Sequence, residues 1–143
     1  MTNSFYEKSA LDTSTSAGQI LAADGYVSFV TNNVLDGCSI AHEVGGDTVR
    51  LLKRGLYQVS FNGDVEPTAA GDIALQLVNN GGDIGGAVAT VTGVAGDTYS
   101  VAFTALVKVL PSCCAVHNTG NLKVQISAAG TVTNAHIVVV KLA

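Results

Sequence analysis

The residues best equipped for chemistry lie close together near position 115. Cys113, Cys114 and His117 put two thiols within a few positions of an imidazole. A thiolate beside an imidazole is the core of a nucleophilic cysteine pair, and the same donors can hold a soft metal. Neither orienting acid nor oxyanion-binding loop flanks them, so two small, hydrophobe-like cysteines in a loop is the plainer reading. Adjacent Cys113 and Cys114 do not suit a mutual disulfide. With Cys38 the count is three, which leaves no complete intrachain set and makes reduced thiols the expectation.

The remaining histidines, His42 and His136, are widely separated from each other and from His117, with no metal-binding spacing. His136 stands in an apolar stretch and reads as a packed or interface histidine. Holding a metal or anion is the lesser alternative for it. Asp64, Glu66, Asp72, Asp83 and Asp97 fall at expected strand ends. Clustered oxygens there would suit Ca2+, but turn chemistry explains each acid without an ion. The glycine-rich segment 81–86 lacks the strand–loop–helix setting of a phosphate cradle. The expectation is therefore a non-enzymatic protein with no cofactor, Ca2+ being the one ion worth considering.

What positions these residues is a series of short strands. Tyr57, Val59 and Phe61 alternate with Gln58, Ser60 and Asn62; Leu122, Val124 and Ile126 alternate with Lys123, Gln125 and Ser127. Such period-two alternation marks half-buried strands. Strands are expected at roughly 19–31, 37–43, 47–53, 55–66, 72–79, 83–92, 97–110, 120–128 and 131–142, with turns at 79–83, 93–97 and Asp36-Gly37. Residues 1–18 read as a polar N-terminal arm or loose terminus carrying Phe5 and Tyr6, candidates for attachment. Residues 19–143 form one all-β, two-sheet sandwich domain.

Composition points to assembly. Hydrophobic residues make up 48% of the 143, mean hydropathy is +0.39, and only 13% are charged, against about 25% in typical domains. The stretch 135–142 is apolar on both faces and needs a cover on each. One cover is the opposite sheet; a second copy of the chain is the simplest other. No run reaches the ~18 apolar residues of a membrane-spanning helix, and no secretion signal is recognised, so release by a route other than ordinary secretion, or retention inside the cell, is expected. Net charge is −4, and the small cluster Arg50, Lys53 and Arg54 makes no basic stripe for nucleic acid.

Gly55-Leu56-Tyr57-Gln58-Val59-Ser60-Phe61 resembles the Gly-x-Tyr strand of the C1q/TNF-like jelly rolls. The order after it is also similar: the Asn79-Asn80-Gly81 turn, the long strand 99–110, the strand from Gly120, and a last strand His136–Leu142 closing the chain. The likeness spans roughly 20–143 and is closer to bacterial and phage versions than to animal ones. It implies an antiparallel jelly-roll sandwich forming a homotrimer, with the sheet of the first, last and Gly-x-Tyr strands facing the threefold axis. Phe29, Tyr57, Phe103, Ile137 and Val139 are then the expected axis residues, or their opposite-parity neighbours, since a one-residue shift exchanges the faces. The expected role is a structural or adhesive component of a phage virion (head fibre, decoration or tail-associated) or of a bacterial surface. A carbohydrate- or receptor-binding tip is the second expectation and a Cys113/Cys114/His117 enzyme the third.

Overall fold

The computed structural model describes residues 8–111 and 119–143. Eleven strands occur in chain order: β1 Ala10–Thr15, β2 Gln19–Leu21, β3 Thr31–Asp36, β4 Ile40–His42, β5 Val49–Leu51, β6 Gly55–Pro67, β7 Gly71–Asn79, β8 Gly82–Gly93, β9 Tyr99–Val109, β10 Gly120–Ile126 and β11 Gly130–Lys141. They form two antiparallel sheets, with no helix among the described residues. One runs β3-β1-β11-β6-β9, with β2 also paired to β11; the other runs β4-β5-β10-β7-β8.

Strand alternation decides what is buried. Tyr57, Val59, Phe61 and Val65 of β6 point inward, as do Leu122, Val124 and Ile126 of β10 and Ile73, Leu75 and Leu77 of β7. Phe61 stacks on Phe103 at 5.3 Å between ring centres and meets Phe29 edge-on at 6.4 Å. The Tyr57 hydroxyl donates to the Lys53 carbonyl at 2.6 Å, so the largest buried ring keeps its polar end satisfied. Asn80 and Gly81 both have positive φ in the two-residue turn joining β7 to β8, as the Asn-Gly signal requires.

Two features depart from the sequence expectation. Residues 10–15 belong to no loose arm: β1 lies between β3 and β11, and the domain begins before position 19. Its strand is disguised because threonine replaces aliphatic residues at two inward positions. Thr13 donates to the Thr31 carbonyl; Thr15 donates to Ser28 O and accepts from Val30 N–H, which makes their burial tolerable. Second, only β2 forms within the expected strand 19–31; β3 starts at its last residue, Thr31, and continues through 32–36, where no strand is expected. The intervening chain is held by the side-chain amide of Gln19, which donates to Ser28 O and accepts from Ser28 N–H.

A bulge in β11 between Thr133 and His136 places the polar site. Asn134 takes a φ of +54° there, and its amide donates to Asp64 Oδ2 at 3.1 Å. The extra residue resets the alternation, so Val132, Ala135, Ile137 and Val139 face inward. His136, Val138 and Val140 face outward.

Candidate assembly face

The outward side of the six-stranded sheet follows from register. One row runs Ala10, Val140, Gln58 and Leu106; the next runs Val34, Asp12, Val138, Ser60 and Thr104; a third runs Ser14, His136, Asn62 and Ala102. Leu106 is 58% exposed and Val34 49%, while Val138 and Val140 are partly covered by their neighbours. At the far margin, Ile20 of β2 is 88% exposed. The face is a mosaic of aliphatic and polar side chains.

Its centre is a hydrogen-bonded group. His136 Nε2 lies 2.7 Å from Asp12 Oδ1, on the diagonal between β11 and β1. Asn33 Nδ2 donates to Asp12 Oδ1 at 3.1 Å and to Ser14 Oγ at 3.0 Å, and Asn62 Nδ2 lies 3.3 Å from His136 Nδ1. Burial acts to raise the Asp12 carboxyl. The hydrogen bonds from Asn33 and His136, with the His136 charge, outweigh it and hold the group below its ordinary value. Four strands thus converge on one prearranged polar patch within an aliphatic surround.

No protein-family model matches the sequence, and no curated protein does. Solved structures do. Murine APRIL at pH 5.0 superposes with a TM-score of 0.71 at 14% identity, covering 94% of this chain and 99% of that one. The globular domain of zebrafish complement 1qA gives 0.65 at 11%, covering 94% and 95%. The PRD1 vertex protein P5 gives 0.58 at 16%, covering 94% and 97%. The fold is a TNF/C1q-like jelly roll.

Within that jelly roll, the last and Gly-x-Tyr strands do share one sheet, as β11 and β6, and the strand that opens it is β1, which the sequence pattern assigns to the arm. The expected axis residues need correction. Phe29, Tyr57, Phe103, Ile137 and Val139 are all buried in the protomer's own core. They point at the opposite sheet because the most apolar side of each strand fills the space between the sheets. The outward residues are their opposite-parity neighbours, including Gln58, Ala102, Thr104, His136, Val138 and Val140.

His42 is a packed residue. Its ring nitrogens face Asn32 Oδ1 at 2.6 Å and Gly46 O at 3.0 Å, and Phe29 meets it edge-on. Asp64 accepts from Ser100 and Asn134, and Asp72 accepts from Thr92. Among the described residues, no three His, Cys, Asp or Glu side chains converge in a way that would hold a metal. Cys38 is exposed. Phe5, Tyr6, Cys113, Cys114 and His117 lie outside the described residues. Sequence reasoning missed Asp12 and Asn33, whose signal is only a polar residue at alternate positions of unrecognised strands.

Proposed function

We propose that this chain is a non-enzymatic structural or adhesive module that works as a homotrimer. Three sandwiches turn their six-stranded sheets toward a common axis and bury the Val34–Val138–Val140–Leu106 surface between copies. The observation that carries this reading is the outward apolar side of β11, the central strand of a sheet whose inward side is already packed. Water on that strand is an unfavourable cover for Val138 and Val140, and an identical chain is the cover always at hand.

The jelly roll shared with the PRD1 vertex protein P5 supports a place in a virion, as a head fibre, decoration or tail-associated part; a bacterial surface assembly suits the same architecture. Synthesis in the host cytoplasm followed by incorporation into the particle fits that reading. A second reading, a carbohydrate- or receptor-binding tip, draws on a basic cleft at one end of the sandwich.

Size exclusion coupled to light scattering tests the assembly. The expected mass is three times the 14.5 kDa of one chain. A mass of one chain across the accessible concentration range overturns the reading.

A further inference from the structure

The lysines and arginines look dispersed along the chain, but the strand register gathers four of the seven at one end. Lys108 of β9 pairs with Leu56 of β6, and Lys141 of β11 pairs with Tyr57. Arg54 immediately precedes β6, and Lys8 precedes β1 on the strand beside β11. These four side chains line a cleft of about 570 Å3 whose apolar lining includes Leu56 and Leu142.

The arrangement differs from ordinary solvated surface charge in three respects. Among the described residues, no Asp or Glu side chain lines the cleft, whose lining also includes Ala143, and none of the four cations is ion-paired. The charges are crowded on a concave surface, where low-dielectric walls focus their field. They also oppose the chain's overall charge of −4. Asp64 and Glu66 lie toward the other end of β6, while Asp36 of β3 pairs with Ala10 near Lys8 without lining the cleft.

We propose that this cleft binds a compact oxyanion ligand, one carrying two or more sulfate, phosphate or carboxylate groups on a small body. Arg54 supplies a planar fork for an oxyanion, and the lysines act as point charges around it. The aliphatic lining takes the uncharged side of the ligand. Size and sign together select against an extended polyanion. The cleft is of small-molecule dimensions, and nucleic acid leaving it would run along an acidic protein. The site lies within a single protomer and does not rest on the threefold assembly.

Calorimetric titration of the whole chain at low salt, with mass measured in parallel, tests the proposal. The probes are a sulfated disaccharide, a nucleoside triphosphate and citrate, with a neutral disaccharide and duplex DNA as comparisons. At least one compact anion is expected to bind, more weakly as salt rises, and the strongest of the three identifies the head group. Replacing Lys108→Gln and Lys141→Gln together should weaken that binding by about tenfold or more, since two charge-assisted contacts are lost. Lys123→Gln, which changes net charge elsewhere, should leave it intact. Absence of binding by all three anions, binding of DNA alone, or an equal loss in Lys123→Gln would overturn the proposal.

Discussion

His136 and Asp12, 124 positions apart in sequence, meet at 2.7 Å on the outer face of the six-stranded sheet. The bulge at Asn134 turns His136 outward, and the pairing of Ser14 with His136 brings Asp12 onto its diagonal. Against burial, which raises it, the Asn33 hydrogen bond and then this contact with His136 hold the Asp12 carboxyl below its ordinary value of 3.8.

That shift has a defined sign. A depressed native carboxyl binds fewer protons than the unfolded chain, so its stabilising contribution is complete above the ordinary value. It drains away as pH falls below that value and through the native one. Asp12→Asn should therefore be less stable than the natural chain at about pH 6, and the gap should narrow by about pH 3. Urea denaturation at both pH values measures this; a gap independent of pH refutes it.

Leu106→Asp should dissociate the assembly. The side chain points away from the core, so the monomer keeps its strand signal in circular dichroism while its mass falls from three chains to one. A carboxylate in a buried apolar contact is strongly unfavourable. Val88→Asp, on the outer side of the other sheet, is the matched control and should leave the mass unchanged.

Phe61→Ala should behave oppositely. Its ring lies between Phe29 and Phe103 in the sandwich interior, and truncation should cost about 3–5 kcal/mol of stability. Assembly should then fail only where the fold does. Phe61→Ala forming a stable folded monomer would contradict its interior placement.

Gly55→Ala examines the first residue of the Gly-x-Tyr strand. Gly55 has a φ of +149°, and a methyl group there would run into the Ala143 carbonyl oxygen. That carbonyl accepts from the Leu56 N–H at 3.0 Å. The substitution should lower stability by about 1–3 kcal/mol, read as a shift of the thermal midpoint. An unchanged midpoint would show that glycine is dispensable there.

Much of the architecture is legible in the sequence. The alternation in 55–66 and 120–128 marks β6 and β10, and the Asn-Gly turn separates β7 from β8, because side-chain period and turn conformation are local properties. β1 was not legible. Thr13 and Thr15 are buried through hydrogen bonds to the chain around Ser28 and Thr31, which only tertiary proximity supplies.

The sequence by itself determined strand parity: Tyr57, Phe103, Ile137 and Val139 lie on a common side of their sheet. It also marked the surplus of apolar surface. Which side faces outward was decided by the tertiary structure, since a strand's two faces are distinguished only by what packs on them. The bulge at Asn134, the meeting of His136 with Asp12, and the gathering of Lys8, Arg54, Lys108 and Lys141 all come from pairing between strands remote in sequence. No local pattern along the chain encodes that pairing.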